Sequence, residues 1–531
     1  MSSNAAVSHT KKRKANDGRA TVPDGAHDVN TGNGGVFLHI SGQRGGVSSG
    51  PSRDENNASQ LDRMEQIMMR MEEKLATVSS LESRCEKLES KCSSLETLLE
   101  STSRIDKTLK YHEMLIRNQK WEYSAPVYTE NELADAGYDD DDAEYIYGTS
   151  RMLKLITEAM RRGDFPEQKN ITGNGDKGPG ICLYVDDSYP IFGEDTNNKL
   201  SPHWREFVAA LENFKPAFDV LPDDSETCIA FVCVQLNQAT TSLIKNALVN
   251  MPFKIFSFQH KCHFHGGMST IASMISYNKY LQQLDIYQIQ DMDRNDITKL
   301  SSAIHHHPSL VDVAITDCFS NSLGDEMLHS LLRTDELKLE KLTMSYNHLE
   351  RGINVCTLLA DYLATNPRLK ELDLQNNMLD DWGAELIANA LRSNTTLRQL
   401  NLYANGVGED GHEALKRALY DESSLNSVAD SNHSCCIDSN DDMMNYSKDR
   451  DMNRAEKLYR LLSWRNKTMS NVQHFSDIDV KLLPNVLEAV QKYSKDGNDR
   501  VVKAASIVYE ILRCWEKVSL SSFDQNRMVS K

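Results

Sequence analysis

The sequence predicts an α/β solenoid in which short strands and helices alternate and stack in one direction. Residues 369–411 contain the pattern L-x-x-L-x-L-x-x-N twice, beginning at Leu369 and at Leu397. The same template fits further starts, which with these two fall at positions 253, 281, 310, 339, 369 and 397 and are 28, 29, 29, 30 and 28 residues apart. Repeats of this length are typical of solenoids.

Each repeat is expected to supply one strand and one helix. The L-x-L core predicts a strand whose alternate side chains turn inward, and the next segment, "WGAELIANAL" in one unit, predicts a helix with one apolar face. Gly383 and Gly411 are expected to allow a tight turn at the start of that helix. A last partial unit is expected to begin at Leu425, and "CIAFVCV" at 228–234 is a candidate opening strand.

The asparagine of the pattern is expected to have a structural role. Asn347, Asn377 and Asn405 would stack inside the bend after each strand, where their amides can satisfy backbone groups that the turn leaves unpaired. Cys318 is expected to occupy the same buried position in its repeat, whereas the unit at 281 has Ile289 there.

These repeats resemble the ribonuclease-inhibitor-like family of leucine-rich-repeat (LRR) proteins. The resemblance covers residues 228–428 and is strongest at 339–420. It implies a horseshoe with a parallel sheet inside and helices outside, and a concave sheet face that binds a protein partner. The units at 253 and 281 depart from the pattern because they lack the asparagine.

The side chains between the leucines of each strand form the predicted concave surface. Ser257 and Gln259 would begin it, followed by Gln283. The remaining candidates for partner binding are Asp285, Tyr287, Asp312, Thr316, Lys341, Thr343, Ser345, Glu371, Asp373, Gln375, Gln399, Asn401 and Tyr403. Acidic groups outnumber Lys341 in this set, which favours a basic or polar protein surface as partner, and the two tyrosines are candidate anchors.

Residues 58–120 are predicted to form a coiled coil. Apolar side chains recur every three and four residues, with no glycine or proline between them. The phase slips by three residues between Val78 and Leu81 and again near residues 95–98. The residues expected to mediate oligomerisation are Leu61, Met64, Met68, Met71, Leu75, Leu81, Leu88 and Leu95. Self-association is the simpler interpretation, and packing against the protein's own body is the alternative.

Residues 1–57 are predicted to be a disordered tail, because they are rich in Gly, Ser, Asn and Asp. The tail contains a compact basic cluster, Lys11, Lys12, Arg13 and Lys14, which is a candidate nuclear import signal that an import receptor would read. We therefore expect a nuclear or cytoplasmic location. A basic-zipper function is disfavoured, because Lys14 lies far upstream of Leu61 and glycines intervene.

The remaining regions are predicted from composition and periodicity. Residues 121–227 would connect the coil to the repeats and cap them, and residues 429–451 would be an acidic polar linker. Residues 452–518 contain three amphipathic segments and predict a helical module, followed by a disordered tail at 519–531. The module is expected to dock as a cap on the end of the solenoid, with a separate interaction bundle as the alternative.

Net charge, cysteine content and the absence of known motifs disfavour several classes of function. The formal net charge of −18 argues against a general nucleic-acid binder. Eleven scattered cysteines and no apolar signal segment favour reduced thiols. "HKCHFH" at 260–265 crowds its histidines and Cys262 too closely for a typical zinc site. We find no catalytic motif and expect no cofactor and no metal.

Two functions of different classes remain. The first is a non-enzymatic protein-binding scaffold, a homo-oligomer through its coiled coil with no membrane association. The second is a GTPase activator of the Ran-type leucine-rich-repeat class, since that class has a similar repeat length and acidic segments after the repeats. No residue match carries the functional positions of that class to this chain.

Overall fold

The computed structural model describes residues 53–166, 179–185, 194–289, 292–319, 322–333, 337–349, 353–438, 452–468, 471–472, 475, 478–493 and 504–514. The basic cluster at 11–14, most of the predicted linker at 429–451 and the predicted tail at 519–531 lie outside these residues. The chain divides into two compact units, residues 1–94 and residues 95–531. None of the described helices combines the length and apolar character needed to cross a membrane.

The predicted coil region is one helix, α1, which covers Arg53–Asn118 and has 66 residues. It begins inside the predicted disordered tail and ends two residues before the predicted end of the coil at 120. The segment contains no glycine or proline to interrupt it. The helical part of the prediction therefore agrees with the structure, whereas a coiled coil requires a second helix.

The region before the repeats consists of α2 Glu130–Asp135, α3 Asp140–Arg162, β1 Gly180–Tyr184, α4 Glu194–Asn213 and α5 Lys215–Asp219. Thr129 and Glu132 form a capping box at the start of α2, and Asp139 caps α3. The last turns of α1 pack on this region, since Met114 is buried and the hydroxyl of Tyr111 donates to the carbonyl of Gly163.

A single parallel sheet of nine strands runs through the repeats, in the order β1-β2-β4-β6-β7-β8-β9-β10-β11. After β1 the strands are β2 Cys228–Val232, β4 Ile255–Gln259, β6 Gln283–Tyr287, β7 Asp312–Thr316, β8 Lys341–Thr343, β9 Glu371–Asp373, β10 Gln399–Asn401 and β11 Cys436–Asp438. A separate two-stranded sheet pairs β3 Gln235–Leu236 with β5 His263–Phe264.

Helices connect consecutive strands of the large sheet. They are α6 Gln238–Val249, α7 Gly267–Tyr277, α8 Arg294–His306, α9 Leu323–Leu332, α10 Ile353–Ala364, α11 Asp381–Leu391, α12 Glu409–Leu419 and α13 Leu425–Asp430. Inward side chains of the strands stay in register: Leu284 pairs with Val313, and Leu342 pairs with Leu372. These rows and the apolar helix faces form one core that extends from Met114 to Ile437.

The sheet is longer at both ends than the predicted repeat region, 228–428. Strand β1 pairs with β2, so "CIAFVCV" contains the second strand of the sheet and not the opening one. Strand β11 pairs with β10 inside the predicted linker. The expected unit at Leu425 is wrong, since that residue begins helix α13 and the strand follows at Cys436. An inserted helix shifted the period, and periodicity alone could not detect it.

The expected role of the helical glycines is also wrong. Gly383 and Gly411 lie inside α11 and α12, and Gly324 holds the matching place in α9. A methyl group on Gly383 would stand 2.6 Å from the sulfur of Cys356, and one on Gly411 would stand 3.0 Å from Cβ of Ala384. These glycines allow neighbouring repeats to approach closely, which is a packing requirement and not a turn requirement.

The C-terminal helices are α14 Arg454–Thr468, α15 Leu483–Tyr493 and a helix over residues 504–514. They share a second core with Leu425 and Val428 of α13. The buried ammonium of Lys457 donates to the carbonyls of Leu419 and Asn432 at 2.7 and 2.8 Å. These bonds give partners to two backbone carbonyls at the end of the last repeats. The three predicted amphipathic segments are therefore helices that contact the end of the array.

Candidate functional site

The candidate partner-binding residues lie together on one face of the sheet. We call the polar face the outward side chains of β6 to β10, together with the residue two places after the end of each three-residue strand, β8 to β10. Register places Gln283, Asp312, Lys341, Glu371 and Gln399 in a first row, and Asp285, Ala314, Thr343, Asp373 and Asn401 in a second. A third row contains Tyr287, Thr316, Ser345, Gln375 and Tyr403. Ser345 is buried and so is not available to a partner as predicted, because its neighbours in the turn cover it.

Acidic groups concentrate in the first two rows. The ammonium of Lys341 lies 3.9 Å from a carboxylate oxygen of Asp312 and 3.6 Å from one of Glu371. All three side chains are partly exposed, so these ion pairs contribute little stability. Asp438 of β11 extends the second row beside Asn401, in a segment that had been predicted as linker. The rows near the strand starts are thus acidic, with one lysine held between two acids.

Aromatic side chains mark the third row. Tyr403 is 51% exposed, whereas Tyr287 is half-buried, and burial followed by the charge of Asp317 raises its pKa. Tyr346, which the sequence analysis did not select, is 46% exposed and directly follows Ser345. Its backbone φ is +59°, so it belongs to the turn and not to the strand alternation. Alternation alone could therefore not identify Tyr346 as a surface residue.

A hydrogen-bonded chain of side chains joins three turns beside the third row. The Nδ1 atom of His260 lies 2.6 Å from the amide oxygen of Gln288, and the amide nitrogen of Gln288 donates to Asp317 at 2.7 Å. All three residues have positive φ. Because the amide oxygen can only accept, His260 carries its proton on Nδ1 in this arrangement. The network fixes side chains at the early edge of the polar face.

The polar face does not extend to the early strands. Ser257 is fully buried, and its hydroxyl accepts from the amide of Gln259 at 2.7 Å. The prediction that Ser257 begins an accessible surface is therefore wrong. Cys228, Ala230 and Ile255 on the same side of the sheet are buried with it. Burial raises the pKa of the Cys182 thiol to about 11, which keeps that thiol neutral.

The structural role expected for the repeated asparagines is confirmed. The amide oxygen of Asn377 accepts from the backbone N–H groups of Asn347 and Leu349, and its nitrogen donates to the carbonyls of Met344 and Leu374. Asn347 and Asn405 make equivalent bonds. These side chains link each turn to the turn before it.

Thiols take the place of the amide in two early repeats. Cys318 is buried, as expected, and its thiol donates to the carbonyls of Thr316 and Ile286. Cys262 does the same with the carbonyls of Phe231 and Gln259. An extra residue with positive φ, Lys261, precedes Cys262, so the fixed pattern spacing missed it.

A second ladder, which the sequence analysis missed, lies at the turns before β6, β7, β10 and β11. Asn278, Asn394 and Asn432 each accept from two backbone N–H groups and donate to carbonyls of the preceding repeat. His307 does this with a ring, since Nδ1 accepts from Ser309 and Leu310 and Nε2 donates to Asn278. The signal was a polar residue three places before the first leucine of a unit, as in Asn278 before Leu281 and Asn394 before Leu397.

The cysteine and histidines of "HKCHFH" do not converge. Cys262 points into the core, whereas His263 and His265 are exposed. Within the described ranges, no group of three or more histidine, cysteine or acidic side chains is placed to hold a metal ion.

The predicted oligomerisation residues of α1 are all solvent-exposed in the single chain. Leu61, Met64, Met68, Met71, Leu75, Leu81, Leu88 and Leu95 have exposed fractions between 51% and 65%. Each compact unit taken by itself thus leaves its share of this apolar seam uncovered.

No family model matches the sequence. Among solved structures, the chain is similar to an internalin (inlF) from Listeria monocytogenes, with 18% sequence identity and a TM-score of 0.23. The similarity covers 39% of this chain and 48% of the internalin, so the chain spans about half the length of that protein.

Proposed function

We propose that the protein is a non-enzymatic leucine-rich-repeat scaffold whose polar face binds a protein partner. The observation that carries this proposal is the polar face itself: three aligned rows of outward side chains on five consecutive strands, polar or aromatic except for Ala314 and at least partly exposed except for Ser345. A broad surface with a few aromatic anchors suits a macromolecular partner. The ribonuclease-inhibitor-like subtype and a concave, horseshoe curvature belong to the same proposal.

The charge of the polar face indicates the partner's chemistry. Asp285, Asp312, Glu371 and Asp373 stand against the single cation of Lys341 among the described residues of the three rows, and Asp438 adds a fifth carboxylate. A basic protein surface complements this charge and would associate faster at low ionic strength. Tyr403 and Tyr346, in and beside the third row, would then fill shallow pockets on the partner.

Self-association through α1 is the second part of the proposal. An exposed apolar seam on a long helix is stabilised when it packs against another helix. Pairing would give each assembly two polar faces, and two weak contacts made together can exceed the affinity of either one. We also propose, from the sequence, that the basic cluster Lys11, Lys12, Arg13 and Lys14 directs nuclear import.

A matched pair of charge reversals tests the polar face. Glu371→Lys changes the first row, and Glu385→Lys changes an exposed acid on helix α11 by the same amount. Proximity labelling in native cells identifies the proteins that lie close to each variant. We expect the variant with Glu371→Lys and Tyr403→Ala to label fewer basic proteins than the unmodified protein does. Glu385→Lys should label the same proteins as the unmodified protein. Equal neighbour sets for the two variants would contradict the proposal.

The same proteins separate the scaffold from the GTPase activator. Single-turnover hydrolysis of GTP is measured with the GTPases recovered among the neighbours. The scaffold predicts unchanged hydrolysis rates. Acceleration by the unmodified protein would contradict the non-enzymatic proposal and favour the Ran-type class.

A further inference from the structure

We infer that the apolar seam of α1 is covered by the same helix of a second copy, running parallel and in register. This inference rests on the self-association part of the proposed function and goes further by specifying direction and alignment. Three features of α1 support it: the seam is exposed, α1 contacts its own chain by another face, and charged residues of both signs flank the seam.

The seam of the second compact unit stays open where α1 is anchored. Leu98, Ile105, Leu109 and Ile116 are between 55% and 70% exposed. The residues that hold the end of α1 to its own chain are Tyr111, Met114 and Asn118, and they lie on the opposite side of the helix. Packing against its own body therefore uses the other face and leaves this part of the seam available for another helix.

The heptad positions of the central segment follow from its spacing. Leu81, Leu88 and Leu95 occupy d positions, and Cys85 and Cys92 occupy a positions, since the intervals alternate between four and three residues. The flanking e positions are then Glu82, Glu89 and Glu96, and the flanking g positions are Arg84 and Lys91. Every e position in this segment is acidic, and both of these g positions are basic.

This charge pattern selects the direction of pairing. In a parallel, in-register pair each g position faces the e position five residues later on the other helix. Arg84 then faces the second copy's Glu89, and Lys91 faces the second copy's Glu96, which gives four attractive contacts. In an antiparallel pair e faces e and g faces g, so glutamates would oppose glutamates and cations would oppose cations. The described charges therefore favour the parallel pair.

The first heptads do not add to this preference. Their e positions include Glu65 and Glu72 and Lys74 is at g, but in a parallel pair Glu72 faces Ile67 and Lys74 faces Ser79. The two phase slips, near 78–81 and 95–98, also meet at the same level when both helices run in the same direction and in register. A staggered arrangement would place a slip of one helix against a regular stretch of the other.

Cysteine cross-linking of the full chain tests direction and register together. In a parallel, in-register pair, Cys85 faces Cys85 and Cys92 faces Cys92. An antiparallel pair sets a positions against d positions, where both cysteines would face leucines. Diamide oxidises a facing pair of thiols to a disulfide, and it takes up the two electrons and two protons as it becomes the hydrazine. We use Cys85→Ser, Cys92→Ser and the double variant, with molar mass measured by light scattering before oxidation.

We expect every protein to have the mass of a pair in solution. Each single variant should still become covalent through its remaining cysteine, and the double variant should not, which controls for the other thiols of the chain. A pair that neither single variant can cross-link would overturn the parallel register and leave self-association intact. A monomeric mass for the unmodified protein would instead overturn the self-association part of the proposed function.

Charge reversal gives an independent readout. Glu89→Lys with Glu96→Lys turns four attractive contacts into repulsions, and we expect the dissociation constant of the pair to rise at least about tenfold. Adding Arg84→Glu and Lys91→Glu should restore pairing. Ser83→Lys with Ser90→Lys, on the opposite side of the helix, adds positive charge away from the seam and should change little. An unchanged dissociation constant for the first variant would contradict the parallel arrangement.

Discussion

The early and late repeats of the array build one continuous sheet with different side chains. In the late repeats, around β8 to β10, asparagine amides connect successive turns after the strands, and the outward rows are polar and accessible. In the early repeats, around β2 and β4, a cysteine thiol replaces the amide, the core contains phenylalanines, and the outward residues are buried. The two changes do not coincide, because β7 has partly exposed polar side chains and is followed by the thiol of Cys318.

The turns before the strands do not change in this way. Asn278 and His307 in the early repeats make the same kinds of bonds as Asn394 and Asn432 in the late repeats. The turns before β6, β7, β10 and β11, which we call the uniform edge, therefore share one kind of cap. The turns after the strands differ, since thiols serve after β4 and β7 and amides serve after β8, β9 and β10.

The largest effect is expected from removing an amide of the late ladder. Asn377→Ala removes the side-chain partner of two buried N–H groups and of the Met344 carbonyl, whereas the Leu374 carbonyl keeps its bond from Asn405. Because each unsatisfied buried group costs about 1–3 kcal/mol, we expect the free energy of unfolding to fall by at least about 3 kcal/mol. Urea denaturation, followed by circular dichroism, measures this change.

The thiol of Cys318, in the turn after β7, provides the corresponding test of the thiol ladder. Cys318→Ala removes a weak thiol donor from two carbonyls and should cost about 1–2 kcal/mol, mainly through lost packing. Equal losses for Asn377→Ala and Cys318→Ala would show that the two ladders contribute alike, and the distinction between the halves would fail.

A smaller effect is expected at the helices that pack against each other. Gly383→Ala would place a methyl group 2.6 Å from the sulfur of Cys356, so we expect a loss of about 1–3 kcal/mol from overpacking. Gly148→Ala in α3 is the matched control, since no atom lies within 4 Å of the added methyl group. That control should gain up to about 1 kcal/mol from helix propensity. A stabilised Gly383→Ala protein would disprove the close-packing role.

The sequence predicted the parts of the fold that depend on regular spacing. Leucine rows, the helical segment of α1 and the amide ladder all follow from residues at fixed intervals. Spacing did not reveal Cys262, because Lys261 adds one residue to that turn, and it did not reveal β11, because α13 is inserted before it. An insertion leaves the stacking contacts of a repeat intact, but it moves the contacting residues away from the positions that a fixed interval predicts.

Surface chemistry was predicted less completely for a different reason. Alternation identified which side chains of β6 to β10 point away from the core, but it could not show that Ser257 and Ser345 are buried. Burial depends on what lies above a side chain, which is a property of residues distant in sequence. Tyr346 was missed because its exposure comes from a left-handed turn and not from strand geometry.

The smallest effect is expected from exchanging the one ring of the uniform ladder for an amide. His307 is buried, and its Nδ1 accepts from two N–H groups, so its neutral form is required; burial, followed by the nearby charge of Lys338, lowers its pKa. The unfolded chain therefore binds more protons than the folded chain once the pH falls below about 6.5. Stability should decline as the pH falls through that value toward the folded pKa.

His307→Asn reproduces the ladder as Asn394 builds it, with two accepted bonds and one donated bond. We expect equal unfolding free energies near pH 7.5 and an advantage of below about 1 kcal/mol for the variant at pH 5.5, measured by urea titration at both values. Part of the acid sensitivity should remain, because burial also lowers the pKa of His203, and that of His433 to about 4. A variant with the full acid sensitivity of the original protein would show that this turn does not titrate, and the uniform edge would then owe its stability to shape and not to a neutral ring.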